Sequence, residues 1–258
     1  MPDGSAFHRK GNFAPIAAEY ELTDLPVHGE LPRGLVGTLF RNGPNPQFGG
    51  EAAAAAHWFL GDGMVHAFTL ADGRAHYRNR WVRTHKWRAE NAAGRALLRN
   101  YPKPSLPGLA IRNTGVANTN VVWHAGKLLA LEEGHLPFEL DAATLATRGV
   151  VRFRGVLKGP FTAHPKVDPK TSEMLFFGYS TDGPLTPAMT WGTVQRCGRI
   201  GRLERFLAPY CAMVHDFAIT ERHVLFPVMP LAGSLWRAVT RGLPFAWQPE
   251  LGGHVGLM

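Results

Sequence analysis

The sequence predicts an all-β protein built from successive antiparallel hairpins, and three observations predict it. Short runs of alternating or β-branched residues recur along the chain, tight-turn signals punctuate them at hairpin spacing, and helical periodicity is scarce. With 45% hydrophobic and 19% charged residues in 258, there is ample material for a buried core, and intrinsic disorder is excluded as the main state. The 29 Gly and 20 Pro supply turns without reaching the proportion that marks low-complexity chains.

The elements follow in order. A first hairpin joins residues 64–70 to 75–82 through Ala71-Asp72-Gly73, because Asp-Gly tolerates the positive φ of a tight turn. A second joins 119–123 to 127–131 through His124-Ala125-Gly126, and a third joins 161–167 to 173–179 through Asp168-Pro169-Lys170-Thr171. Another pair of strands surrounds Cys197-Gly198-Arg199, and a last hairpin joins 213–219 to 223–228 through Thr220-Glu221-Arg222. Helix is expected only over 89–98 and 231–240, and the alanines at 52–56 read as a short loop insertion. Hairpins strung along a chain form a meander, which closes as a barrel, a sandwich or propeller blades; repeated two-strand units favour the propeller. No linker-like stretch divides the chain, so residues 1–258 are expected to form one domain.

Composition narrows the function classes. No run approaches the ~18 uninterrupted apolar residues of a membrane-spanning helix. The first twenty residues contain no apolar signal core and no small-residue cleavage site, which predicts a cytoplasmic protein. Cys197 and Cys211 are expected to be reduced thiols, since two cysteines make neither a disulfide framework nor a four-ligand zinc site. The net charge is +8, but the basic residues are scattered and interleaved with apolar positions, which predicts a solvated basic face and no nucleic-acid partner.

Twelve histidines are present, and no Gly-x-Ser-x-Gly nucleophile elbow, phosphate loop or dinucleotide-binding Gly-x-Gly-x-x-Gly, so the search turns to imidazole chemistry. His164 sits in Phe161-Thr162-Ala163-His164-Pro165-Lys166, where an apolar strand is expected to run into a proline turn with the ring facing inward. His215 is placed alike in Met213-Val214-His215-Asp216-Phe217-Ala218-Ile219. Burying an imidazole without a partner is costly. A transition metal satisfies it well, because neutral imidazole is a good ligand for iron, copper or zinc. Spacing alone favours the other solution, a core histidine bonded to backbone carbonyls.

Several segments together change that balance. Gly29-Glu30-Leu31-Pro32, Gly37-Thr38-Leu39-Phe40-Arg41-Asn42-Gly43-Pro44-Asn45-Pro46, His57-Trp58-Phe59 and Gly61-Asp62-Gly63-Met64-Val65-His66 come first. Asn118-Thr119-Asn120, Trp123-His124-Ala125-Gly126-Lys127-Leu128-Leu129-Ala130-Leu131, Thr162-Ala163-His164-Pro165 and Val214-His215-Asp216-Phe217 follow. In this order the chain resembles the carotenoid cleavage oxygenases, a group that includes apocarotenoid oxygenases, lignostilbene dioxygenases and the retinal-pigment-epithelium isomerase. The likeness runs from about Phe13 to Met258.

The resemblance implies a seven-bladed β-propeller carrying a ferrous ion, Fe(2+), on its axis, held by four histidines. His164 and His215 resemble the first two ligands. Glu133, in Leu131-Glu132-Glu133-Gly134, falls where a family carboxylate accepts the outer N–H of a ligand histidine, here His215, and fixes its tautomer. The implied reaction is oxidative cleavage of a conjugated C=C bond by iron and dioxygen, giving two carbonyl products from a lipophilic alkene. Two departures qualify this. Lignostilbene-cleaving members carry a lysine where Glu132 stands, and use it with a tyrosine, to which Tyr101 corresponds, on the substrate phenol. Carotenoid or apocarotenoid substrates are therefore expected ahead of phenolic stilbenes.

Family members also continue well beyond Met258, into the region that carries the third and fourth histidine ligands, and His254 does not match the third-ligand motif. The expectation is an incomplete propeller of roughly half the blades with exposed strand edges. Such a polypeptide alone is expected to be inactive and poorly loaded with iron, or to act as a non-catalytic fragment that binds an apolar ligand or a partner. Family members dip apolar patches into membranes, and residues 106–111 or 231–247 would make that peripheral contact.

Overall fold

The computed structural model describes residues 10–49, 57–97, 114–241 and 244–258. The alanine stretch at 52–56, Tyr101 and the apolar segment 106–111 lie outside the described residues.

The described chain is mostly β-sheet, and three of its sheets are four-stranded and antiparallel. The first contains β1 (Glu21–Leu22), β2 (Gly37–Pro44), β3 (Gly63–Ala71) and β4 (Arg74–Trp81), in the order β1-β4-β3-β2. The second runs β5 (Asn120–His124), β6 (Lys127–Leu131), β7 (Phe138–Leu140) and β8 (Thr147–Val150). The third is built from β9 (Lys166–Val167), β10 (Met174–Tyr179), β11 (Ala188–Val194) and β12 (Ile200–Leu207), each beside its sequence neighbour. A three-stranded sheet orders β13 (Ala218–Ile219), β14 (Val224–Val228) and β17 (His254–Leu257). Between its last two strands lie the ribbon of β15 (Leu231–Gly233) and β16 (Phe245–Trp247) and the helix α2 (Leu235–Arg241). The other α-helix, α1, spans His85–Ala93.

Two expected hairpins form as read. Asp72 and Gly73 between β3 and β4 have φ of 52° and 75°, and Ala125 and Gly126 between β5 and β6 have 51° and 75°. Consecutive positive φ values match the right-handed twist of the flanking strands. The pair around Cys197-Gly198-Arg199 also forms, as β11 and β12, with a register shift between Thr193 and Val194.

The strands holding the two histidines are much shorter than expected. β9 covers only Lys166–Val167 and β13 only Ala218–Ile219. In the first case Thr162 Oγ1 accepts the His164 N–H at 3.0 Å, and Pro165 has no N–H to give to a ladder. In the second, Asp216 Oδ1 takes the Phe217 N–H at 2.8 Å. Local side-chain bonds thus replace strand pairing next to both imidazoles.

The helices are displaced from the expected ranges for identifiable reasons. Thr84 caps α1 by accepting the Trp87 N–H at 3.1 Å, and Gly94 ends it at φ 63°. At the other helix, Ser234 Oγ accepts the Arg237 N–H at 3.3 Å, so the residues before it are free to pair as β15.

The chain divides into two compact units; β1–β4 and α1 belong to one, β9–β17 and α2 to the other, and β5–β8 contribute residues to both. In the first unit Met64, Trp81 and Trp87 pack together with Ile16. Beside them Lys86 Nζ donates to Asp62 Oδ1 and Glu90 Oε2, both at 2.8 Å and all three groups buried. Gly63 cannot be replaced there, since a Cβ would lie 2.2 Å from the Ala117 carbonyl oxygen. These contacts explain Gly61-Asp62-Gly63 as structural.

The second unit is centred on Phe177, Val214, Phe217 and Phe226, with Met189 and Trp191. Phe226 is fully buried, its ring 5.2–5.9 Å from those of Phe177, Phe206 and Phe217. Phe226→Ala is expected to cost about 3–5 kcal/mol, read as a lower urea midpoint at unchanged m-value.

Candidate metal centre

His164 and His215 meet within the second unit. Phe161 and Ala163 are fully buried, which fixes the backbone just before His164. Val214 and Phe217 are buried on either side of His215-Asp216 and anchor that segment in the aromatic core. The two imidazole rings lie 4.5 Å apart at 65°, with Nε2 of one 3.0 Å from Nε2 of the other.

One part of the expectation needs correcting. His164 is half-buried, but the His215 side chain is 61% exposed, not turned into the core. Val214 and Phe217 occupy the inward positions of this irregular segment, which leaves His215 and Asp216 outside. The polar partner of His215 is therefore neither a buried carbonyl nor the core.

That partner is Glu133, which stands just past the end of β6. Glu133 Oε1 accepts a hydrogen bond from His215 Nδ1, and Glu133 Oε2 accepts one from the Tyr179 hydroxyl at 2.8 Å. An ionised carboxylate only accepts, so the proton of neutral His215 resides on Nδ1 and the Nε2 lone pair faces His164. Burial, then the nearby His215, holds His164 below the ordinary imidazole range and keeps it neutral. Asp216 pairs with Lys166 at 2.8 Å; burial alone would raise its carboxyl, but the lysine's hydrogen bond and charge bring it below its usual value.

Two neutral imidazoles with facing nitrogens suit a transition ion. A separation of 3.0 Å is close to what two metal–imidazole bonds of about 2.1 Å subtend at roughly a right angle. Among the described residues no group of three or more His, Cys, Asp or Glu side chains gathers as a metal site, so this pair supplies two donors. A cavity of about 510 Å³ in the first unit, between Arg41, His66, Phe68 and Tyr77, includes none of these groups.

Residues 13–258 match the family described as retinal pigment epithelial membrane protein, the carotenoid cleavage oxygenases. The chain belongs to this family. It is 40% identical over 252 residues to the isoeugenol monooxygenase of Pseudomonas nitroreducens, covering 96% of this chain and 52% of that protein. The lignostilbene dioxygenase of Pseudomonas brassicacearum superposes with a TM-score of 0.92 at 38% identity, over 100% of this chain and 54% of that one. The cobalt-substituted apocarotenoid oxygenase of Synechocystis gives 0.81 at 30% identity, over 95% and 54%. These structural neighbours are carotenoid oxygenase propellers, and the open four-stranded sheets described above are consistent with part of one. The chain spans about half the length of the relatives it matches.

Within this carotenoid oxygenase chain, Glu132 has its own partner. Its Oε1 lies 2.5 Å from His135 Nδ1, off the hydrogen-bonding direction, so the contact is an ion pair. Reading the sequence missed Tyr179 and the Lys166–Asp216 pair. Alternation along β10 puts Tyr179 on the face of Phe177, but nothing in the sequence aims its hydroxyl at a glutamate 46 positions earlier.

The Glu132–His135 pair makes stability depend on pH. Burial disfavours the His135 charge, yet the Glu132 carboxylate beside it outweighs this and raises the imidazole above its ordinary value. A raised folded value means that the stabilisation is full below about pH 6.5 and is lost as pH rises through the raised value. Denaturant unfolding across that window is expected to show stability falling with pH, and Glu132→Gln to flatten the slope.

Proposed function

We propose that the protein, in complete form, is a non-haem Fe(II) dioxygenase that cleaves a conjugated C=C bond to two carbonyl products. The facing Nε2 atoms of His164 and His215, with Glu133 behind His215, carry this reading. Ferrous iron held there would supply the dioxygen chemistry that no protein side chain supplies. His164 and His215 are its ligands from this chain, and Glu133 keeps His215 in the ligating tautomer by holding the proton at Nδ1. The protein's remaining tasks are to orient the alkene and exclude water.

A carotenoid or apocarotenoid is the first substrate class. Glu132 supports it, because a carboxylate paired with His135 cannot offer a substrate phenol the ammonium that lysine would. An aryl-conjugated alkene of the stilbene type is the second, favoured by the 40% identity to an isoeugenol monooxygenase and the TM-score of 0.92 with a lignostilbene dioxygenase. Oxygen uptake and aldehyde products with an apocarotenal and with a hydroxystilbene separate the two.

No helix among the described residues is long and apolar enough to cross a membrane. We assign the protein to the cytoplasm, with peripheral membrane contact through Leu235, Trp236 and Val239 of α2 and Trp247 of β16. These side chains are exposed and suit an interfacial apolar face. Vesicles of neutral phosphatidylcholine are expected to sediment the protein, and Trp236→Ser with Trp247→Ser to reduce that fraction severalfold; equal sedimentation by the variant refutes the contact.

Cobalt titration of the protein expressed from its complete reading frame tests the centre. His164→Ala and His215→Ala are each expected to weaken binding by at least about tenfold. Since only neutral imidazole binds metal, affinity should fall as pH is lowered. At His164 burial disfavours the charged ring, so its share of that loss is expected below the ordinary imidazole range. Unchanged cobalt affinity in both variants refutes the assignment.

A further inference from the structure

We propose that Tyr179 is a positioning residue of this centre, holding the Glu133 carboxylate in the orientation that keeps His215 in its ligating tautomer. The inference rests on the metal reading of His164 and His215 and adds a residue to it. Glu133 stands in an irregular segment between β6 and β7, where no strand ladder limits its side chain. Held only through Oε1, a carboxylate can rotate about its last side-chain bond and lose the alignment of its single contact. Tyr179 removes that freedom by donating to Oε2 at 2.8 Å. A hydrogen bond to an ionised acceptor is roughly twice as strong as a neutral one.

The phenol is itself well placed to act as an anchor. Tyr179 is the last residue of β10, registered opposite Met189 of β11, and its ring packs against the aromatic core of the second unit. Its backbone and ring are therefore set by the sheet and core, while its hydroxyl reaches out to the carboxylate. The resulting line runs from the Tyr179 O–H to Glu133, from Glu133 to His215 Nδ1, and from His215 Nε2 to His164 Nε2 at 3.0 Å. Rigid β-sheet thus orients an imidazole that itself lies outside any strand and is mostly exposed. A tyrosine serving only to fill the core would not need its hydroxyl, and phenylalanine would replace it without consequence at His215.

Tyr179→Phe keeps the ring and removes the anchor. In the metal-free protein, long-range proton–nitrogen NMR of His215 is expected to show the proton on Nδ1 in the wild type and a mixture of both tautomers in the variant. Cobalt affinity is expected to fall about tenfold in Tyr179→Phe. It should fall no further when Tyr179→Phe is added to Glu133→Gln, because the two act through one interaction. An unchanged tautomer together with unchanged cobalt affinity overturns the role of Tyr179, as does a full additional loss in the double variant. A wild type that binds no cobalt, while the tautomer still responds to Tyr179→Phe, overturns the metal reading and upholds the positioning of His215.

Discussion

The 3.0 Å approach of His164 Nε2 to His215 Nε2 is the contact from which the chemistry of this chain follows. Two neutral imidazoles meet nitrogen to nitrogen only where one ring has its proton turned away, so that one Nε2 accepts while the other donates. Glu133 does this for His215 by accepting at Nδ1. Burial keeps the His164 ring from taking a second proton by disfavouring its charged form. Were both rings protonated, like charges would stand side by side and neither Nε2 would have a lone pair to offer.

The backbone around this contact is irregular for a reason. An ideal strand sends alternate side chains to opposite faces and would commit each histidine to one face of a sheet. At 161–165 and 213–217 the chain leaves the ladder, through the Thr162 and Asp216 side-chain bonds and Pro165, and takes it up again only at Lys166 and Ala218. Buried neighbours, with the Thr162 N–H bonded to the Phe177 carbonyl and the Met213 N–H to the Leu231 carbonyl, hold these stretches: Phe161 and Ala163 before one histidine, Val214 and Phe217 around the other. Packing supplies the rigidity, and freedom from the ladder supplies the aim.

The two adjacent glutamates divide their work. Glu133 serves His215, while Glu132 is taken up by His135 three residues on. Glu133 lies at a bend just past β6, and the two adjoining carboxylates reach different partners. The position that distinguishes phenol-binding members of the family thus carries in this chain an acid already engaged in an ion pair.

Much of the architecture was legible in the residues. The Asp72-Gly73 and Ala125-Gly126 turns, the pair around Gly198, and the identity of His164, His215 and Glu133 came from turn chemistry and from motifs in a recognisable order. Short-range physics governs the turns, because positive φ is a local property; the three site residues were legible only through the family resemblance, since spacing alone favoured core histidines bonded to backbone carbonyls. The early end of strand pairing beside both histidines, the exposure of His215 and the grip of Tyr179 on Glu133 were not legible. Each depends on which of several hydrogen bonds or buried positions wins, and the competitors lie 46 to 82 positions apart in the chain. Sequence by itself determined the hairpins and the kinds of donor; only the tertiary structure decided which nitrogen faces which, since that choice is made by a carboxylate from the bend after β6 and a phenol from the end of β10.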